Sequence, residues 1–533
     1  MKECIIILGA GVMQGPAIRI AQELGFFTVV VDGNPAAPHA STADQFEHID
    51  LKDAEGVEAF ARTMQARGLG GIMTAGTDFS ATVAWVAERL GLPGIPHEAA
   101  LNASDKARMR ACFARAGIPS PQFIAISHEE LHGDIQSTLS SMPQFPLVIK
   151  PVDNMGGRGC RRVDTMEEFH EAAADALRFS RSGRAIAEAY MEGPEFSVDA
   201  MVFHGEITIC GLADRHIFFP PYFIEMGHTM PTVFPPEQQA ALLETFCAGV
   251  RALGLAGPDS IGAAKGDIKL TPRGPMIGEI AARLSGGYMS GWTYPYSSGV
   301  EPIRAAILAA MGRRPDALSP VKAWTSAERA FISIPGTVKA ITGAQASGLR
   351  HVQDVFFRIS EGDKVQFPRN NVSKCGNIIS AAPDHAAAVE AAETAARSIL
   401  VRLDPADPET AEFLANNPPS QFPPGAFSLD RELEEALTQL PETVMGSRET
   451  PHLIPFPAFT ASSLKDYMGR TVGESLRVVQ ELTGLSLPEI ATQTGKNSDN
   501  KGSVLGRSFW AAFVRGGYQG AVYYIDRLIR EEN

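Results

Sequence analysis

Two carboxylates placed to face each other are the first chemistry this sequence suggests. The stretch "GAAKGDIKLTPRGPMIGEIAAR" (262–283) reads as two strands around a turn, and with Arg273 as the centre Asp267 and Glu279 are equidistant from it. Directly opposed side chains lie about 5 Å apart, and like charges there repel. Such a pair calls for a cation, and oxygen ligation beside phosphates suits Mg2+ (or Mn2+). Arg283 follows Glu279 by four residues, on the same face by the strand period of two. Its planar fork suits phosphate or carboxylate. Lys265 and Lys269 share that face, so a solvated hairpin of alternating charge fits the same pattern.

A second stretch, "LVIKPVDNMGGRGC" (147–160), ends a β-branched run on Lys150 and then gives Gly156, Gly157 and Gly159 around Arg158. Glycines allow positive φ and the close backbone approach of a phosphate-binding nest. Lys150 would add a point charge there. The lysine precedes the glycines, so this is no Walker A loop. A plain surface turn also fits it.

The elements that would carry these residues follow from periodicity. Residues 3–32 read strand, glycine turn, helix, strand, and the next unit repeats the plan, which predicts a doubly wound parallel α/β domain. "GAGVMQG" is a near match to a dinucleotide fingerprint, with Asp32 placed for a ribose. Gly15 falls one position late, so a tight strand-to-helix turn is the plainer expectation. A capped helix opens at "SDKARMR", strands with a His204-Gly205 turn follow the glycine loop, and "GVEPIRAAILAAMG" is a closing helix. Residues 325–403 predict a smaller α/β lobe. Residues 404–425 hold six prolines and predict a linker, and 427–533 are expected to be largely helical. "ELTGLSLPEIATQTG" (481–495) has the cadence of a helix-turn-helix, but its region is not basic. Phe509, Trp510 and Phe513 are expected to dock on the rest of the chain or on a second copy, giving a homo-oligomer.

The 533 residues are 44% apolar and 20% charged, with net charge −14. That balance suits two to four globular domains and argues against nucleic acid or an anionic membrane as a partner. Six scattered cysteines without metal-site spacing predict reduced thiols and a cytoplasmic setting. The apolar run in "MKECIIILGAGVM" is too short and glycine-broken for a signal peptide, and no stretch approaches a membrane span.

In this order the motifs resemble the ATP-grasp superfamily, in the style of biotin carboxylase, the large subunit of carbamoyl-phosphate synthetase and the L-amino-acid ligases. The resemblance covers roughly residues 1–400. It implies a preceding Rossmann-like α/β domain (1–98), a two-lobed ATP-grasp domain (99–312) and a small α/β lobe (313–403). The linker (404–425) and a helical extension (426–533) lie beyond it. It implies that Lys106 and Lys150 reach ATP under the loop of Gly156, Gly157 and Gly159. Glu188 and the Met191 backbone would hold the adenine edge, and Glu195 the ribose hydroxyls. His228 of "EMGHTMP" would approach the phosphates. Asp267 and Glu279 would ligate Mg2+, and Arg283 would steady the transferred phosphate. Donors near Gly286 and Gly287 would hold an oxyanion.

The implied reaction makes an acyl phosphate from ATP and a small carboxylic acid or amino acid, which an amine then attacks. Tyr288, Trp292, Tyr294 and Tyr296 would line the substrate pocket or pack in the core; Asp214, Arg215 and Glu225 would touch substrate or cap strands. One departure is Ala281, where the family commonly has asparagine. Lys265 is expected opposite it, its ammonium partly replacing the missing ligand, or else a second metal binds weakly. The departure keeps a nucleotide-binding regulatory protein as an alternative, and the fingerprint near match leaves an NAD-linked oxidoreductase as another.

Overall fold

The structure, a computed structural model, describes residues 2–133, 135, 139–142, 144–316, 318–415, 422–443, 452–456, 459, 463–485 and 504–531. The chain forms two compact units: Met1–Glu328 with Ile379–Val389, and Arg329–Ile378 with Glu390–Asn533.

The first unit opens with the expected parallel sheet. Its strands lie in the order Gln45–His48, Phe27–Asp32, Cys4–Leu8, Leu69–Thr74. The run Cys4–Leu8 is buried throughout, as a central strand covered on both faces must be. The glycine turn after it is filled from within. Gln14 accepts the Gly11 N–H at 3.0 Å and donates to the Ala75 carbonyl. Asp32 accepts the N–H groups of Ala10 at 2.7 Å and Asn34 at 2.8 Å. The turn that a dinucleotide would need is thus plugged by a side chain, and the acid expected at the ribose is spent on backbone.

Two antiparallel sheets follow. The smaller has the order Phe123–Ile126, Ala185–Ala189, Leu147–Pro151, Arg161–Val163, backed by the helix Met166–Phe179. The larger runs Gly274–Ala281, Ile261–Thr271, Glu195–Phe203, Glu206–Phe218, Ile224–Met230. Its helix-side core gathers Phe113, Phe196 and Phe246. The helix Lys106–Ala116 is capped by Asp105, which accepts the N–H groups of Ala107 and Arg108.

In the terminal hairpin of the larger sheet, Asp267 pairs with Glu279 and Lys265 with Ala281, as the sequence predicts. The turn itself sits half a residue earlier than expected, because Thr271 pairs with Gly274. The register recovers through a bulge: Ile268 pairs with Ile277, which leaves Gly278 as the extra residue. Arg110 donates to the freed Gly278 carbonyl at 2.5 Å.

The second unit holds a sheet ordered Lys364–Val365, Gly336–Thr342, Leu400–Leu403, and the long helix Arg507–Glu531, which breaks at Gly517. Phe509, Trp510 and Phe513 are fully buried against Phe427, Phe456 and Phe459. These aromatics therefore close their own unit's core, where each contributes about 2–3 kcal/mol of burial, and they present no apolar face to a second copy. Within 404–425, Pro408–Ala415 is a helix with Phe413 buried, so this part is structured where a linker is expected. Most of the helix-turn-helix cadence (486–495) lies outside the described residues. Among the described residues no helix is long and apolar enough to cross a membrane.

Candidate functional site

The smaller sheet places Lys150 beside Glu188, with Nζ 2.7 Å from Oε2. The other oxygen, Oε1, takes Arg110 Nε at 2.9 Å. Glu188 and Arg110 are both buried. Arg110 is one helical turn past Lys106, so the two cations leave the same helix face. Burial alone would push the Glu188 carboxyl up; Arg110 and then Lys150 overcome this and hold it below the usual range. A depressed carboxylate stabilises the fold above its unfolded pKa, about 4.3. That contribution is lost as pH falls through the folded value. Urea midpoints should therefore drop as pH is lowered below that unfolded value. The drop should be shallower in Arg110→Met, whose Glu188 is less depressed; an equal slope in both proteins would contradict this.

Lys106 is buried, donates to the Asn154 carbonyl at 2.9 Å and lies 3.3 Å from Glu279 Oε1. It thereby joins the glycine loop to the acidic hairpin. Burial pulls its ammonium down, but Glu279 and Asp78 outweigh that and raise it. Gly156, Gly157 and Gly159 all have positive φ, 70°, 75° and 68°. The nest conformation proposed for them is therefore available. Arg158 turns its Nε to the Met155 carbonyl at 3.1 Å.

Glu279 is opposed by burial, yet Lys106, Lys265, Lys150 and Arg283 bring its carboxyl down to about 2. Asp267 is lowered too: burial opposes this, while Arg215 and Lys265 drive it. It accepts from Ser197 Oγ at 2.9 Å, from Lys265 Nζ, and lies 3.1 Å from Arg215 Nη1. The facing carboxylates are thus not bare; internal cations already sit among them. Among the described residues no three His, Cys, Asp or Glu side chains gather as a metal cluster. Two carboxylates on one face still match what Mg2+ takes from protein when phosphates supply other ligands.

Arg215 is the hub that sequence left open between substrate contact and strand cap. It binds Glu225 through Nε at 2.8 Å and Glu195 and Asp267 through Nη1. Glu195 also lies 3.5 Å from Lys269, so a ribose would have to share it with two cations. Lys269 donates to the Met191 carbonyl at 3.2 Å. The Glu188 side chain is committed to Arg110 and Lys150, so it serves the lysine rather than the adenine edge expected of it.

His228 is buried and paired through Nδ1 with Glu328 at 2.8 Å, while Nε2 lies 3.6 Å from Glu225. A Cβ on Gly287 would come within 2.9 Å of Glu225 Oε1 and 3.3 Å of His228 Cε1, at a φ of 61°. A side chain there would be strained, and the loop 285–287 is brought against the histidine. Asp199 holds that loop, accepting the Ser285 N–H at 3.0 Å and Ser290 Oγ at 3.2 Å. Burial pushes its carboxyl up to about 6. The parallel domain meets the same loop, with Gly76 N–H donating to the Leu284 carbonyl at 3.3 Å. Arg283 donates to the Leu284 carbonyl at 3.0 Å, and its buried Nε has no hydrogen-bond partner.

Tyr294 is fully buried and bonds the Gly211 carbonyl, so it is core rather than pocket lining. Tyr288 is buried edge-on to Trp292, with ring centroids 5.4 Å apart. Asp214 ties its strand to Thr232 at 2.5 Å. Sequence reasoning missed Arg110, Asp199 and Glu328. A charged residue inside the apolar strand "FSVDAMVF" was the available signal for Asp199.

Residues 143–289 match the ATP-grasp domain family, 18–94 the ATP-grasp N-terminal domain, and 330–404 the L-amino acid ligase C-terminal domain 2. Carnosine synthase 1 of Gallus gallus is 28% identical over 336 residues, 59% of this chain. The match spans only 36% of that relative's length. L-amino acid ligase from Bacillus licheniformis superposes with TM-score 0.64 at 20% identity, over 76% of this chain and 99% of that one. The biotin carboxylase domain of the Hydrogenobacter thermophilus 2-oxoglutarate carboxylase, solved with MgADP, ADP and bicarbonate, gives 0.59 at 19% identity. It covers 75% of this chain and 91% of that domain.

Proposed function

This chain carries the ATP-grasp N-terminal domain, the ATP-grasp domain and an L-amino acid ligase C-terminal domain and is thus an ATP-grasp protein, and we propose that it is an ATP- and Mg2+-dependent ligase. Its substrates are a small carboxylic acid or amino acid and an amine, joined through an acyl phosphate. The observation that carries this reading is the placement of Lys106 between the glycine loop, at Asn154, and the acidic hairpin, at Glu279. One side chain touches both parts that a phosphoryl transfer needs together.

Phosphoryl transfer is mostly positioning and charge neutralisation. Lys106 and Lys150 spread positive charge over the phosphates. Glu188, held by Arg110, fixes the direction of Lys150. The glycine loop closes its N–H groups over the phosphates and keeps water from the acyl phosphate. Glu279 is the residue that would hold Mg2+, facing Asp267 across the hairpin, and the ion would supply charge neutralisation for the phosphates. Arg283, with a donor to spare, faces the transferred group. His228, backed by Glu328, and the N–H groups near Gly286 and Gly287 stand where an oxyanion would form.

The test is ADP release with Mg2+ and ATP across pools of amino acids and small carboxylic acids, with and without amines. A pool that raises ADP about tenfold or more, the scale of one lost or gained catalytic contact, supports the ligase and begins to name its substrate. A second reading, a nucleotide-binding regulatory protein, is favoured by the cations already on Asp267. It predicts ATP binding with no ADP production in any pool.

A further inference from the structure

We propose that Lys265 and Arg215 act as built-in cations that occupy Asp267, so that this site takes a single divalent metal, held by Glu279 and the nucleotide. The inference rests on the nucleotide-site reading above and concerns how many ions that site holds.

It follows from counting acceptor positions. A carboxylate offers about four. On Asp267 three of these are taken: Oδ2 is shared by Lys265 Nζ and Arg215 Nη1, and Oδ1 takes the Ser197 hydroxyl. The Asp267 side chain is 9% exposed. Glu279 is the opposite case. Its side chain is 33% exposed, and its one ion pair, 3.3 Å from Lys106, is on Oε1. Among the described residues Oε2 has no partner.

The cations on Asp267 cannot step aside cheaply. Arg215 is anchored by Glu225 at 2.8 Å and by Glu195. Moving it would take the arginine from two further largely buried carboxylates, Glu195 and Glu225, a costly change. Lys265 sits on the strand pair opposite Ala281 and across from Asp199 on its other neighbour. The Ala281 methyl adds no oxygen ligand. The position opposite it is filled by an ammonium, which neutralises phosphate charge without coordination geometry. A second metal would find at most one acceptor position left on Asp267, and Ala281 opposite Lys265 offers it no side-chain oxygen.

The experiment titrates Mn2+ into the full chain holding ADP, with free Mn2+ read by electron paramagnetic resonance and ADP binding by calorimetry. One Mn2+ per bound ADP is expected for the native protein. Glu279→Gln should weaken it at least about tenfold, while Asp267→Asn should change it less than about threefold, against the 10–100-fold seen when a metal site's support is removed. Lys265→Met, which frees one acceptor position on Asp267 Oδ2, should admit a second, weaker Mn2+. Two Mn2+ on the native protein would overturn the proposal, as would Asp267→Asn weakening the ion as much as Glu279→Gln. Native protein that binds no ADP would instead overturn the nucleotide site itself. Urea midpoints of each variant establish folding, and the native and Asp267→Asn titrations decide the matter even where Lys265→Met fails to fold.

Discussion

Glu279→Gln is expected to cut substrate-stimulated ADP release by about 10²–10³-fold, the scale for removing one preorganised charge-stabilising group. Glutamine keeps the volume and one oxygen but removes the charge that four neighbouring cations, Lys106, Lys265, Lys150 and Arg283, are arranged around. The lost interaction belongs to the phosphates in flight, so kcat and kcat/KM should fall together rather than KM rise alone. Lys106 keeps its bond to the Asn154 carbonyl, so the loop should stay joined to the helix and the chain should fold. Single-turnover ADP formation, with a urea midpoint as the folding control, measures this. Turnover within about threefold of native, far from the expected range, would mean that the hairpin face is not where the phosphates react.

The parts of this site that were legible in the sequence are those governed by local rules. Three glycines after a strand-ending lysine announce positive φ, and all three have it. Counting residues around a turn paired Asp267 with Glu279. It did so although the turn lies half a residue off, because the bulge at Gly278 cancels the offset. The parallel domain was legible from its apolar runs, and its imperfect fingerprint is explained by Gln14 plugging the turn.

What stayed hidden is set by partners far along the chain. Arg110 reaches Glu188 and Gly278, 78 and 168 positions away, and no window of sequence contains both. Glu328 lies 100 positions from the His228 that it holds. Amphipathic C-terminal helices show that an apolar face must be covered, but not by what. Phe509, Trp510 and Phe513 turn out to be covered within their own unit. The resemblance implied a nucleotide role for Glu188 and Glu195, but not the cations, Arg110, Lys150 and Arg215, with which their side chains pair.

The Arg110 pair should give the largest stability effect. Removing one member of a buried ion pair typically costs about 3–5 kcal/mol, because the remaining charge is left uncompensated. Arg110→Met strips Glu188 of its Oε1 partner and the Gly278 bulge carbonyl of its donor. It also removes a buried Nη1 that has no hydrogen-bond partner, so the cost should sit toward the lower end of that range. Glu188→Leu instead leaves Arg110 and Lys150 facing each other without their carboxylate. The double variant should be less destabilised than the sum of the two, with a coupling of about 0.5–3 kcal/mol. Equilibrium denaturation in urea, read on the transition of the first unit, gives the cycle. A coupling of zero would mean that the pair does not hold the Lys106 helix to the Lys150 sheet. If it does hold, ATP affinity should fall in Arg110→Met, because Lys150 is aimed through Glu188 and Glu279 is set through the bulge that Arg110 pins.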